Sequence, residues 1–86
     1  MAKQIMDLEL TSHAKDMMKE RGIPIEWIER AIQAPDRENT GADGLAHYFK
    51  VISEHGERIL HVVVNPHASP RKVITIFFDR RARRVK

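Results

Sequence analysis

The residues best suited to chemistry lie in two strand-like runs in the second half of the chain. Residues 46–53 contain Tyr48 and Lys50, and residues 58–64 contain His61. Histidine titrates near neutral pH and serves as a general acid or base. Lysine neutralises negative charge on a reacting phosphate, and tyrosine stacks on a base or donates a hydrogen bond. These side chains are typical of metal-independent RNA cleavage at the 2′-hydroxyl.

The connection between the two runs predicts a β-hairpin that brings these side chains together. Residues 54–57 have turn composition, so we expect Ser53 to pair with Arg58, and Lys50 with His61. This register predicts that His61 and Lys50 are catalytic and that Tyr48 contacts nucleic acid. The alternative is that they are simply the water-facing residues of an antiparallel sheet.

Alternation of side chains across the strands assigns the remaining residues to two faces. Under this register the apolar face, which should meet the helices, carries Phe49, Val51, Leu60, Val62 and Val64. A third strand over residues 72–78 adds Ile74, Ile76 and Phe78 to it. The opposite, mixed face carries Tyr48, Lys50, Ile52, Ile59, His61, Val63, Val73, Thr75 and Phe77. A shift of one residue in the strand register would separate Lys50, His61 and Thr75, which form a polar row on this face.

Two helices are predicted before the strands. Thr11 or Ser12 is the N-cap of the first, and Gly22 ends it, with Ile23 packing back on Met18. Pro24 suits the first turn of the second helix. Its buried stripe should contain Ile25, Trp27, Ile28, Ala31 and Ile32. With residues 8–10 as a short strand or extended lead-in and residues 35–45 as a loop, the fold class is α+β: two N-terminal helices on a three- to four-stranded antiparallel sheet.

His13 is a second candidate catalytic residue. It lies in the first turn of the first predicted helix, where the helix dipole disfavours a charged ring. A histidine that stays neutral is suited to act as a general base. The alternative is a structural histidine that bonds a neighbouring backbone group.

The C-terminal segment, residues 79–86, is strongly basic. It carries five basic residues and one acid, whereas the rest of the chain has a net charge of −1. Such a segment attracts polyanions through counterion release, and a solvated tail is the alternative. The predicted nucleic-acid ligands are Arg58, Arg80, Arg81, Arg83, Arg84 and Lys86. We expect Arg80 or Arg81 to hold the scissile phosphate.

Composition excludes several classes of protein. The 86 residues suffice for one domain, residues 1–86, and contain no cysteine, so disulfides, thiolate metal sites and cysteine nucleophiles are excluded. The five histidines have no metal-binding spacing, and no cofactor-binding motif is present, so neither a metal nor a cofactor is predicted. No signal peptide or membrane span is predicted, and a cytoplasmic location is the expectation.

The sequence of the first predicted helix resembles the opening pattern of a known family. Residues 12–14, Met18 and residues 21–23 resemble the opening H-A-x-x-R-M-x-x-R-G-I pattern of a small bacterial family, domain of unknown function 4258. The valine-rich strands and basic end are also similar to that family, over about residues 8–84. Met17 stands where the pattern has its first arginine, so a site that uses this charge would lack it here.

This resemblance implies a distant relationship to RelE/ParE-type toxins, in which helices precede an antiparallel sheet. The implied function is RNA binding, with metal-independent, toxin-like ribonuclease activity as one outcome and ribosome-associated RNA as a target. The alternative is a non-catalytic module that pairs with a small antitoxin-like protein through a sheet edge. Fold-level analogy alone does not decide between these functions.

Overall fold

Two helices pack on one face of a five-stranded mixed sheet in the computed structural model, which describes residues 8–68 and 70–79. The elements in chain order are β1 (Leu8–Leu10), α1 (Ser12–Arg21), α2 (Ile25–Gln33), β2 (Arg37–Thr40), β3 (Ala46–Ile52), β4 (Arg58–Asn65) and β5 (Arg71–Phe78). The predicted α+β class with two N-terminal helices is confirmed. Neither of these helices is long and apolar enough to cross a membrane.

Helix α1 begins and ends as its sequence predicts. The Thr11 hydroxyl accepts a hydrogen bond from the Ala14 N–H at 3.1 Å, so Thr11 is the N-cap. Gly22 has a φ of 63°, a left-handed conformation that favours glycine. The Ile23 N–H then donates to the Met18 carbonyl at 2.9 Å and closes a Schellman ending.

Helix α2 buries one side against the sheet. Ile28, Ala31 and Ile32 are buried, and Trp27 packs partly against the core. The prediction that Ile25 belongs to the buried stripe is wrong, because its side chain is 42% exposed. Pro24 also differs from the prediction, since it precedes the first turn as an extended N-cap residue and is not inside the helix.

The sheet has more strands than predicted, and one of them is parallel. The strand order is β1-β5-β4-β3-β2, in which β1 pairs parallel with β5 and the other pairs are antiparallel. Strand β2 lies within the segment predicted to be a loop, at residues 35–45. Its four residues are exposed, so it lacks the apolar alternation that identifies a strand in a sequence.

The hairpin between β3 and β4 differs from the predicted register by one residue. Ile52 pairs with Arg58, and Phe49 pairs with His61. The connection has five residues, because a short 3₁₀ helix at Ser53–His55 is followed by two left-handed residues, Gly56 and Glu57. The four-residue connection predicted from composition is therefore wrong.

This shift reverses the two faces of β3 but leaves those of β4 as predicted. The helix face of the sheet contains the buried residues Ala46, Tyr48, Ile52, Leu60, Val62, Val64, Val73 and Ile76. Leu60, Val62 and Ile76 are confirmed as core residues. The predictions that Phe49 faces the helices and that Tyr48 and Ile52 face away from them are wrong.

A β-bulge interrupts the ladder between β4 and β5. Val63 pairs with Thr75, but the next residue, Val64, pairs with Val73, so Ile74 is the extra residue. The bulge allows Val73 and Ile76 to lie on the helix face together. The prediction that Val73 faces away from the helices, with Ile74 buried beneath them, is therefore wrong.

Candidate active site

The sheet face opposite the helices, here called the histidine face, carries two cross-strand rows of side chains. The backbone register across β2, β3, β4 and β5 aligns the first, the phenylalanine row, which contains Arg37, Phe49, His61 and Phe77. The neighbouring threonine row contains Asn39, His47, Val63 and Thr75. Each row therefore crosses four strands.

A hydrogen bond between two histidine rings links the rows. Nδ1 of His47 lies 2.9 Å from Nε2 of His61, and the ring centroids are 5.1 Å apart. The two residues are diagonal neighbours on adjacent strands, a position from which long side chains reach each other. Two imidazole rings, each able to donate or accept a hydrogen bond, are thereby in direct contact.

A carboxylate after β5 extends this hydrogen-bonded chain. Oδ2 of Asp79 lies 3.3 Å from Nδ1 of His61. The Asp79 backbone N–H donates to the Ile59 carbonyl at 2.9 Å, so the ladder continues one residue beyond the strand. Alternation then turns the Asp79 side chain to the same face as Phe77, where it reaches the ring.

The carboxylate determines the direction of the hydrogen bonds. An ionised carboxylate only accepts, so Nδ1 of His61 carries the proton that is shared with Asp79. In the neutral ring, Nε2 of His61 accepts from the Nδ1–H of His47, which leaves Nε2 of His47 with a lone pair. The relay formed by Asp79, His61 and His47 therefore ends at a proton-accepting nitrogen. A carboxylate orients a histidine in this way in other acid–base sites.

The accepting nitrogen lies beside a second carboxylate and a glycine. Oδ1 of Asp43 is 3.7 Å from Nε2 of His47. A hydrogen bond from the Leu45 N–H lowers the pKa of Asp43, so this group is ionised at neutral pH and places a negative charge beside His47. A Cβ at Gly41 would stand 2.9 Å from that nitrogen and 2.8 Å from Oδ1. Any side chain at this position would occupy the space beside the proton acceptor.

Aromatic rings flank the middle of the relay. The Phe49 and Phe77 rings have centroids 4.2 and 4.7 Å from that of His61, whose side chain is 12% exposed. Burial lowers the pKa of His61 below its usual value of 6.5, and electrostatic repulsion between the two rings, when both carry a proton charge, acts in the same direction. The hydrogen bond to Asp79 opposes both effects. The His61 ring is therefore neutral at pH 7, so its Nε2 is free to accept the hydrogen bond from His47.

Arg37 supplies a cation at the β2 end of the phenylalanine row. Its guanidinium carbon is 4.7 Å from the centre of the Phe49 ring, and the residue is exposed. Its charge also lowers the pKa of His61, which places it within electrostatic range of the relay. The ion pairs among residues 8–68 and 70–79 do not include Arg37, so its guanidinium is a candidate ligand for phosphate.

Two of the predicted site residues lie on the helix face. Lys50 pairs with Leu60, and its Nζ is 3.6 Å from Oδ1 of Asp36. Tyr48 is 7% exposed and belongs to the core. The prediction that Lys50 lies beside His61 is therefore wrong, and Tyr48 is not placed to stack on a base. Both errors follow from the one-residue register shift.

The other predicted residues are dispersed. His13 bonds a side chain and not the backbone, since its Nε2 is 3.2 Å from the Thr75 hydroxyl. Arg58 is exposed at the start of β4, three residues and about 10 Å along the strand from His61. The C-terminal residues predicted to bind nucleic acid lie outside the described residues: Arg80, Arg81, Arg83, Arg84 and Lys86.

The sequence did not indicate which side chains contact His61 and His47. His47 and Phe49 are two residues apart, so they share a strand face, and a five-residue connection places Phe49 opposite His61. The length of that connection is therefore the feature that would have predicted the contact between Phe49 and His61. Asp43 and Asp79 carry no signal at all, because each reaches the histidines from outside β3 and β4.

The relay is a line of side chains and not a convergent cluster. In the described part of the chain, no three or more histidine, aspartate or glutamate side chains are arranged to hold a metal ion. What the arrangement does provide is a route for one proton between two imidazoles and two carboxylates.

We expect His61 to titrate below pH 6.5 in the folded protein, and lower still in Asp79→Asn, which removes the carboxylate that raises this pKa. Histidine NMR titration measures both midpoints. Because the unfolded chain binds the proton more readily, the stabilisation contributed by a neutral His61 is present above pH 6.5. It is lost as the pH falls from 6.5 to the folded pKa.

Asp16→Asn is the control for this titration, since Asp16 is exposed on α1 and takes no part in the relay. It should leave the His61 midpoint unchanged. A wild-type midpoint above 6.5, or an upward shift in Asp79→Asn, would contradict the electrostatic account of the relay.

Comparisons with known proteins identify a family. Neither the curated proteins nor the solved structures include a match to the chain. The family model "Domain of unknown function (DUF4258)" matches residues 10–78, from the end of β1 to the end of β5. The match contains both histidines of the relay and covers most of the sequence. The chain therefore belongs to the DUF4258 family.

Proposed function

We propose that this protein is a RelE-like, RNA-binding domain that cleaves RNA without a metal ion. The observation that carries the proposal is the relay from Asp79 through His61 to His47, which ends at an accepting nitrogen on a partly exposed ring. Paired histidines oriented by a carboxylate are suited to moving a proton at neutral pH. In this proposal His47 and Arg37 act beside His61 in place of Lys50, which the sequence predicted to be catalytic.

The reaction uses the 2′-hydroxyl of RNA as its nucleophile. Nε2 of His47 accepts the 2′-hydroxyl proton while the 2′-oxygen attacks the adjacent phosphorus. The bond from phosphorus to the 5′-oxygen breaks, and that oxygen takes a proton from water. The products are a 2′,3′-cyclic phosphate and a free 5′-hydroxyl. Imidazolium formed on His47 is stabilised by the Asp43 carboxylate at 3.7 Å.

Two further groups support this chemistry. The exposed guanidinium of Arg37 neutralises charge that develops on the phosphorane, as cations do in phosphoryl chemistry. Phe77 is partly exposed beside His61 and offers a surface on which a base stacks. The basic segment after Asp79 adds attraction for the RNA backbone that is independent of sequence.

The test is incubation of the purified protein with single-stranded RNA, free or ribosome-bound, in buffer containing EDTA. We expect RNA fragments that end in 2′,3′-cyclic phosphate, because the acting groups are side chains. DNA of the same sequence is the matched control and should remain intact, since it lacks the 2′-hydroxyl. If neither form of RNA is cut, the ribonuclease proposal is wrong.

One observation favours a second candidate function, a protein-interaction module. Strand β2 is an edge of the sheet, and all four of its residues are exposed. Edge strands accept an additional strand from a partner through backbone hydrogen bonds. An extended segment of a small antitoxin-like protein would fit this edge. Intact RNA together with a partner that protects β2 from amide hydrogen exchange would support this function instead.

A further inference from the structure

We propose that His13 and Thr75 form a second RNA-binding subsite, which holds the phosphate of a nucleotide next to the one that is cleaved. This inference rests on the proposed function and extends it. It implies that the RNA strand crosses the histidine face along the threonine row, at a large angle to the β-strands, from β2 towards β5.

The register supports this path. His47 on β3 pairs with Val63, and Val63 pairs with Thr75 on β5, so one line joins the proton acceptor to the Thr75 hydroxyl. Neighbouring strands are about 4.8 Å apart, which separates His47 from Thr75 by roughly 10 Å. A four-stranded sheet of this width accommodates two or three nucleotides in other RNA-binding domains.

Exposure along the line fits an elongated ligand. Asn39 and His13, at its two ends, are exposed, and His47 and Thr75 are partly exposed. Val63, between them, is 6% exposed and forms the floor. Polar groups therefore flank an apolar floor along the whole threonine row.

The β-bulge is what presents Thr75 on this face. In a regular strand Val73 and Thr75 would point to the same side, and Val73 is buried beneath the helices. The extra residue, Ile74, reverses the alternation, so Thr75 pairs with Val63 and faces away from the core. Bulges recur next to functional sites because they redirect a side chain in this way.

The start of α1 is anchored so that His13 meets Thr75. The Thr11 N–H donates to the Val73 carbonyl at 3.1 Å, and the Thr11 hydroxyl donates to the Ile74 carbonyl at 3.1 Å. Strand β1 pairs with β5 only as far as Val73, so α1 lies beside the rest of β5. Two hydrogen bonds from Thr11, which lies two residues before His13, therefore hold the start of α1 against β5.

The pair has hydrogen-bonding capacity left for a phosphate. Nε2 of His13 is 3.2 Å from the Thr75 hydroxyl. In the tautomer with its proton on Nε2, His13 donates to this oxygen, and the hydroxyl hydrogen is left to donate to a ligand. A hydroxyl that is oriented in this way matches the acceptor oxygens of a phosphodiester.

The experiment compares two substrates in three variants. We expect Thr75→Val and His13→Ala each to lower kcat/KM for a pentanucleotide about 3- to 10-fold, the equivalent of one hydrogen bond. Neither should change kcat/KM for a dinucleoside monophosphate, which is too short to reach the subsite. Thr40→Val is the matched control, because Thr40 pairs with Ala46 on the helix face. Equal effects on both substrates, or none on either, would overturn the subsite.

Binding of a 2′-O-methyl pentanucleotide, which has no free 2′-hydroxyl to react, separates this inference from the proposed reaction. Thr75→Val should weaken that binding about 3- to 10-fold whether or not the protein cleaves RNA. Weaker binding without any cleavage in the wild type would retain the subsite and reject the ribonuclease. Cleavage by the wild type, together with unchanged binding in Thr75→Val and His13→Ala, would retain the ribonuclease and reject the subsite.

Discussion

His47→Ala should lower kcat for RNA cleavage by about 10²- to 10⁴-fold, the contribution of a general base. RNA affinity should stay within a few-fold of the wild-type value, because one partly exposed imidazole contributes little to binding a polyanion. His61→Ala should also lower kcat, since His47 loses the acceptor that orients its ring at 2.9 Å. Single-turnover cleavage and equilibrium binding of a 2′-O-methyl RNA measure the two quantities separately.

Controls distinguish this site from a general loss of histidine or positive charge. His67→Ala alters an exposed turn, and Lys50→Ala alters the helix face, so both should cleave at close to the wild-type rate. Added imidazole should restore part of the activity of His47→Ala, since the missing group is a proton acceptor beside Gly41. Full activity in His47→Ala would show that the relay is not the reacting site.

Leu60→Ala should lower the free energy of unfolding by about 2–5 kcal/mol, as a large-to-small change does at a fully buried position. Leu60 is 0% exposed on the central strand β4, where it pairs with Lys50 on one side and Phe78 on the other. Removal of the methyl groups leaves a cavity beneath the helices, and the surrounding structure relaxes only partially to fill it. Urea denaturation followed by circular dichroism measures the change, which is a large fraction of the stability of a small domain.

Ile25→Ala is the matched control for this prediction. Ile25 is 42% exposed at the start of α2, and alanine is a better helix former, so the change should stay within about 0.5 kcal/mol. A similarly small loss in Leu60→Ala would mean that the helices do not cover this face of β4. Both variants should retain the denaturant dependence of the wild type if unfolding remains two-state.

The ends of α1 and the interior of β4 could be read from the sequence because their signals are local. Thr11 caps a helix through a residue three positions away, and Gly22 ends it through its own φ. Leu60 and Val62 lie two positions apart on one strand, so they share a face whatever strand they pair with. Strand β2 was missed because its exposed, polar residues pair with β3 without burying anything.

The candidate site was only partly predictable for a related reason. His61 was identified from its residue type and its strand, but its partners depend on the connection between β3 and β4. One additional residue in that connection exchanges Lys50 for Phe49 opposite His61 and brings His47 to the same face. Composition marks residues 54–57 as a turn but does not specify that Gly56 and Glu57 are both left-handed, with φ of 65° and 58°.

The amino-acid sequence by itself determined the α+β class, the two helices, the buried face of β4 and the presence of a basic segment after Asp79. Tertiary structure decided which side chains meet: the pairing of His47 with His61, the reach of Asp43 and Asp79, and the turn of Thr75 towards His13. The physical reason is the period of a β-strand. Helix ends and apolar runs depend on neighbours a few residues away, whereas a single extra residue in a hairpin or a bulge moves a side chain to the opposite face.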